Sequence, residues 1–324
     1  MKKNFSQLAQ AYRYHALAES DCRAVLQWFE APSLYFPAQQ DALRAFDALS
    51  WLDQAVKDHP ALLSGTQAQE QCTAAFSATF SLPAQSASRL FRNFLRWFDA
   101  PQPVIIGIEG LDGSGKTVQA NKLSAALEQS GSRVCLIDFP QYGSFFGKEI
   151  GGLLSGRDST SALDLDEKSM CLWYALDRWN AMRPLRLEDY DYVIFNRYTL
   201  SNVVYQSARK YNGFHQEFAD WVFSLEHTQL ALPVPDLYLY LDTKSDLCGE
   251  NVLKKGGRDY TDGLDVYESS QALLRCCHGI YRTLAGKIPE IKILDCMDGR
   301  GNLKTVEAVG AEILLCLKDM HISP

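Results

Sequence analysis

The stretch IEGLDGSGKT, residues 108–117, decides how the rest of the chain is read. Gly110, Gly115, Lys116 and Thr117 complete the pattern G-x-x-x-x-G-K-[ST]. An apolar run, VIIGIEG (104–110), precedes it; an amphipathic segment with Ala120, Leu123 and Leu127 on one side follows and stops at Gly131. That strand–loop–helix setting is the one the pattern requires. Glycines let backbone N–H groups wrap phosphate oxygens without a Cβ in the way, and the helix N-terminus adds the positive end of its dipole. Gly110, Gly113, Ser114, Gly115, Lys116 and Thr117 are therefore expected to cradle the phosphates of a nucleoside triphosphate. Lys116 would reach the β- and γ-phosphates and the Thr117 hydroxyl would help hold Mg²⁺. What receives the phosphoryl group is not written in these residues.

Outward from the loop, further short apolar runs alternate with longer amphipathic stretches: RVCLIDF (133–139), YVIFNR (192–197), DLYLYLD (236–242) and IKILDC (291–296). Near-continuous apolar strands separated by helices predict an α/β fold with a parallel sheet covered on both faces. Ligands on such sheets bind at the carboxyl ends of the strands. On the other side of the loop, DAPQP (99–103) reads as a linker, so the domains are expected at 1–100 and 101–324. Residues 1–100 look entirely helical: Leu43, Phe46, Leu49, Leu52 and Val56 form one stripe after Asp41, and Leu90, Phe91, Phe94, Leu95 and Phe98 another. Trp28, Trp51 and Trp97 lie in or beside these stripes and read as helix-packing core.

Bulk properties narrow the partners. The 324 residues are 47% hydrophobic and 22% charged, ordinary for a globular chain, with a formal net charge of −7. Polyanion binders usually carry a basic balance, so no nucleic acid is expected as main partner. Nine cysteines without a C-x-x-C pair point to a reducing compartment, the cytoplasm. Lys2, Lys3 and Arg13 with no acid before Glu19 leave an organellar transit peptide open, although the runs of arginine and serine are missing. No apolar run approaches ~20 residues, so no membrane span is expected.

Four stretches fall where an acceptor pocket belongs. They are Asp138-Phe139-Pro140-Gln141-Tyr142-Gly143, Leu172 to Trp179, Asn196 to Tyr205, and the glycine-rich basic loop LKKGGRDYTDGLDVYE (253–268). Tyr174 and Arg178 share a helix face, so one can stack on a base while the other bonds its edge. Arg197 at a strand end suits a phosphate, and Tyr205, two helical turns past Tyr198, suits a sugar. Lys254, Lys255 and Arg258 beside Gly256 and Gly257 suit a lid over the transferring group.

From about residue 104 to its end the chain resembles the thymidylate kinase family. The motifs E-G-x-D/E-x-x-G-K-[ST], F-P-x-Y-G, the A-x-D-R helix, R-Y-x-x-S-N-x-x-Y and the basic lid occur in the family's order. The resemblance implies a P-loop five-stranded parallel sheet, Mg·ATP as donor, dTMP as acceptor and a homodimer. It implies that Phe139 and Pro140 shape the acceptor pocket, with Tyr142 near the acceptor phosphate. Tyr174 would stack on thymine, Arg178 bind its carbonyl edge, Arg197 grip the monophosphate, Asn202 lie near the base, and Tyr205 crowd the place of a ribose 2′-OH. Asp112 corresponds to an acid that approaches the acceptor's sugar or the metal. Gly113 in the loop with Lys254, Lys255 and Arg258 in the lid matches the family members that supply positive charge from the lid.

Two positions depart from the family pattern. Asn196 stands where the family has Asp before the arginine, which removes a charge near the metal and is expected to lower turnover. Gln141 stands where related chains often have Arg, which leaves more of the acceptor's charge to Arg197. Phosphoryl transfer needs alignment and charge cancellation rather than proton chemistry, so Lys116, Arg197 and Arg258 are the expected catalytic residues. Alternatives are a kinase for dUMP, dCMP, UMP or CMP, or a non-catalytic nucleotide-binding regulatory protein.

Overall fold

The computed structural model describes residues 103–156, 160–248, 265–267, 270–288 and 290–319, together with 66–81 and scattered positions between 51 and 91. The chain divides into two compact units, one of Met1–Gln102 with Lys287–Glu290 and one of Pro103–Gly286 with Ile291–Pro324. In the first, α1 (Thr66–Phe80) carries Phe76 and Phe80, whose rings lie 5.5 and 6.4 Å from that of Trp51. Leu52, Val56 and Phe91 of the stripes are buried, and so are Cys72 and Phe76 of α1, which the stripes did not include. Trp28, Trp97, Leu43, Phe46, Leu49, Leu90, Phe94, Leu95 and Phe98 lie outside the described residues.

The second unit is a five-stranded sheet, every pairing parallel, in the order β2-β3-β1-β4-β5. Its strands are β1 (Val104–Gly110), β2 (Val134–Asp138), β3 (Tyr192–Asn196), β4 (Leu237–Asp242) and β5 (Ile291–Asp295). The helices are α2 (Lys116–Gln129), α3 (Phe145–Ser155), α4 (Glu167–Met182), α5 (Thr199–Tyr211), α6 (Gln216–Phe223), α7 (Gln271–Ala285) and α8 (Val306–Asp319). β3 and β4 are fully buried, as strands covered on both faces must be. On one face Ala120, Leu123 and Leu127 of α2 and Val309, Ile313 and Leu317 of α8 pack on Ile106, Ile108, Leu239 and Leu241.

The strand order explains where a ligand can go. β1 sits at the centre, its successor β2 lies two places to one side, and the chain crosses back to β4 on the other. The loop after β1 therefore opens at a switch point, where helices diverge and leave a crevice at the carboxyl ends. Three strands, β2, β3 and β5, end one residue earlier than their apolar runs. Arg197 turns out of β3 at φ 64°, and Phe139 leaves β2 ahead of a cis bond to Pro140. Among the described residues no helix is long and apolar enough to cross a membrane.

Candidate active site

The loop from Gly110 to Thr117 bends back over the end of β1. Gly115, at φ 91° and ψ 10°, occupies the left-handed conformation that precedes α2. Lys116 is buried and its Nζ donates to the carbonyl oxygens of Gly110 at 3.0 Å and Leu111 at 2.6 Å. Burial, reinforced by the Arg197 charge, pushes the Lys116 ammonium down to about 7. An anion in the cradle would relieve that penalty.

Beside the cradle, Arg197, Asp112 and Tyr205 interlock. The Arg197 guanidinium donates to Asp112 Oδ1, and the Tyr205 hydroxyl donates to Asp112 Oδ2 at 3.0 Å. Arg197 also lies 5.9 Å from the centre of the Tyr205 ring. A left-handed backbone on a bulky residue costs roughly 1–2 kcal/mol, so surrounding bonds must hold it. Arg197 N–H donates to Ile108 O at 3.0 Å, and Tyr198 N–H to Glu109 Oε1 at 2.8 Å. Glu109 is fully buried within β1 and also accepts from Ser201 Oγ at 2.6 Å and Tyr281 Oη at 2.9 Å. Burial pushes its carboxyl above the ordinary value while these donors pull it back. Glu109 thus ties the phosphate loop's strand to the start of α5. The charged residue inside an otherwise apolar strand was its signal in the sequence.

Asn196, the departure from the family pattern, has an explicit neighbour. Its Nδ2 donates to Thr117 Oγ1 at 3.0 Å and to Asp138 Oδ1 at 2.5 Å, while its own Oδ1 is buried with no hydrogen-bond partner among the described residues. A carboxylate therefore shares the Asn196 amide with the Thr117 hydroxyl, at the end of β2 rather than β3. Asn196→Asp would set two carboxylates at hydrogen-bond distance. Like charges about 4 Å apart repel by on the order of 4 kcal/mol at an effective dielectric of ~20, reduced here because Asp138 is exposed. We expect Asn196→Asp alone to lower Tm by a few degrees and leave kcat no higher. Asp138→Asn combined with Asn196→Asp should restore both; thermal melts and steady-state rates of the three proteins check it.

The other end of the crevice is an open cleft of about 520 Å³. Phe139, Pro140, Tyr142, Tyr174, Arg178, Asn202 and Tyr205 line it together with Asp112 and Arg197. The sequence-derived acceptor residues thus come together from β2, β3, α4, α5 and the loop after β1. Gly147 lets α3 close against the Phe139–Tyr142 loop, since a Cβ there would lie 1.8 Å from Gln141 O. Asp177 braces the same loop, accepting from Gln141 N–H and Ser144 Oγ, each at 2.8 Å. The Gln141 side chain turns away and donates to Asp138 O at 2.8 Å. Arg178 is 2% exposed and forms a double hydrogen bond with the fully buried Glu226, at 2.7 and 2.6 Å.

Leu154, Ser201, Asp265 and Tyr267 also line the cleft, and sequence reasoning did not single them out for that role. Asp265 and Tyr267 lie near the end of the glycine-rich basic stretch 253–268, and acid and aromatic types two residues apart were their signal. Lys254, Lys255, Gly256, Gly257 and Arg258 lie outside the described residues.

The family model described as Thymidylate kinase matches residues 108–306. Thymidylate kinase from Mycobacterium tuberculosis (strain ATCC 25618 / H37Rv) is 33% identical over 187 residues, spanning 57% of this chain and 86% of the relative. Thymidylate kinase from Homo sapiens is 26% identical over 228 residues, spanning 68% of this chain and 92% of the relative. Among solved structures, thymidylate kinase from Candida albicans superposes with a TM-score of 0.53 at 27% identity, covering 68% of this chain and 93% of its own.

Proposed function

The chain belongs to the thymidylate kinase family, and we propose that it transfers the γ-phosphoryl group of ATP to dTMP, yielding ADP and dTDP. The observation that carries this reading is the interlock of Arg197, Asp112 and Tyr205 between a phosphate cradle and a cleft suited to one base. Lys116 neutralises the donor phosphates, and Arg197 draws the acceptor phosphate towards them. Asp112 and Tyr205 hold the guanidinium, so little reorganisation accompanies transfer. Both Asp112 oxygens face acceptor-side groups, which favours its acceptor role over a metal role. Tyr174 stacks on the base, Arg178 bonds its edge, and Phe139, Pro140 and Tyr142 wall the pocket, with Asn202 alongside. Lys254, Lys255 and Arg258 close over the transferring group and keep water out.

The donor set around Thr117 fits Mg²⁺. The Thr117 hydroxyl and Asn196 Oδ1, which has no partner among the described residues, are hard oxygens beside the phosphate cradle. When bound, Mg²⁺ supplies charge neutralisation across the β- and γ-phosphates. In this reading residues 101–324 perform the chemistry, and residues 1–100 stand outside it. The homodimer implied by the resemblance belongs to the same proposal. Phe145 and Leu172, exposed on α3 and α4, are apolar surface that a second copy can cover.

A coupled assay of ADP release with dTMP, dUMP, dCMP, UMP and CMP tests the acceptor. We expect dTMP to be used best and dUMP about 10–200-fold less well, the range for one methyl group. Preference for UMP or CMP would assign another pyrimidine kinase. The sugar filter has its own test. Tyr205→Ala should narrow the preference for dTMP over 5-methyl-UMP, its ribose counterpart, by about 10-fold or more. An unchanged ratio would remove Tyr205 from that role.

A further inference from the structure

Glu226 has no place in phosphoryl transfer, yet four hydrogen bonds converge on it. Oε2 accepts from Arg178 Nε at 2.7 Å and Thr199 Oγ1 at 2.8 Å. Oε1 accepts from Arg178 Nη2 at 2.6 Å and Asn202 Nδ2 at 2.9 Å. The carboxylate is 0% exposed and sits in a π-helical turn, Ser224–Gln229, that continues α6. Such wide turns frequently mark functional positions. The turn is pinned on its far side, where Leu232 N–H donates to Glu226 O at 2.9 Å and His227 Nδ1 lies 2.9 Å from Leu232 O.

A guanidinium is a rigid plane, so fixing one edge fixes the other. Glu226 holds Nε and Nη2 of Arg178, no bond from Nη1 is found among the described residues, and Arg178 lines the cleft. Asn202 and Thr199, on the first turns of α5, lock the carboxylate so that the pair cannot pivot. We propose that Glu226 is a positioning residue that aims Arg178 at a carbonyl oxygen of the acceptor base and thereby sets selectivity for carbonyl-bearing over amino-bearing pyrimidines. This rests on the dTMP kinase reading. A guanidinium offers donors alone, so thymine and uracil present a complementary oxygen at the corresponding edge, whereas cytosine presents an amino group that also donates.

The test is a cycle of Glu226→Gln and Arg178→Met, assayed with dTMP and dCMP. Glu226→Gln keeps the shape but turns an N–H₂ towards an Arg178 N–H on whichever side it lies, and of the four facing groups only the Thr199 hydroxyl can accept from it. KM for dTMP is expected to rise about 10- to 100-fold, the range for losing a charge-assisted hydrogen bond, with KM for ATP changed less than about 2-fold. The preference for dTMP over dCMP should shrink in parallel. In the Arg178→Met background, Glu226→Gln should add less than about 3-fold to KM for dTMP, because nothing remains to be aimed. Glu226→Asp, which keeps the charge but shortens the reach, should move KM and selectivity the same way, and it serves if the amide variant does not fold. An unchanged KM for dTMP, or an equal rise with and without Arg178, overturns the positioning role. A parent protein inactive towards dTMP would instead overturn the function on which the role rests.

Discussion

Lys116→Met is expected to lower kcat by at least about 10²–10³-fold while leaving the folded protein no less stable than its parent. The two effects share one cause. The ammonium is buried, bonded only to the carbonyls of Gly110 and Leu111 among the described residues, and held down to about 7 by burial and the Arg197 charge. Such a group is costly for the fold until a polyanion occupies the cradle. The unfolded chain binds its proton up to the ordinary lysine value while the folded chain releases it near 7. The parent therefore gains stability as pH rises across that window. The Tm advantage of Lys116→Met should be largest below pH 7 and should shrink towards pH 10.5, a trend that thermal melts at four or five pH values would reveal. Loss of activity with loss of Tm at every pH would mean that Lys116 is structural.

Arg197→Met is the second large effect, and it differs in kind. Removing the guanidinium takes the Arg197 cation from Asp112, a mostly buried carboxylate that lines the cleft proposed for the acceptor. Breaking a buried pair from one side costs about 3–5 kcal/mol, and the side chains here are 19% and 12% exposed, so the lower end is expected. Activity should fall further than stability explains. kcat/KM for the acceptor is expected to drop about 10³-fold or more, since one phosphate loses a cation and gains an anion as neighbour. Asp112→Asn in the same chain should recover stability and about 10-fold of the acceptor's kcat/KM. That partial rescue would not arise if Arg197 merely braced the turn after β3.

The fold was legible because its strands are buried on both faces and hence read as unbroken apolar runs. The phosphate cradle was legible because glycines and lysine at fixed spacing have one main use. Tyr174, Arg178, Arg197 and Tyr205 emerged from helical spacing and strand-end position, with the family resemblance supplying their roles, and the fold brings all four to one cleft. What stayed hidden were the partners. Glu226 lies 48 residues from Arg178 and Glu109 lies 92 from Ser201, so no local spacing connects them. Asp138 was visible only as the end of a strand. That it faces Asn196 depends on β2 and β3 pairing in register, Asp138 opposite Asn196. The loss of charge inferred from Asn196 alone thus overlooked a carboxylate on the neighbouring strand.

Purified protein incubated with Mg·ATP and dTMP, with the nucleotides then separated by anion-exchange chromatography, gives the most direct test of dTMP kinase activity. ADP and dTDP are expected in equal amounts, and neither without both substrates. ADP formed without dTDP, or intact dTMP under conditions where ATP demonstrably binds, would contradict it.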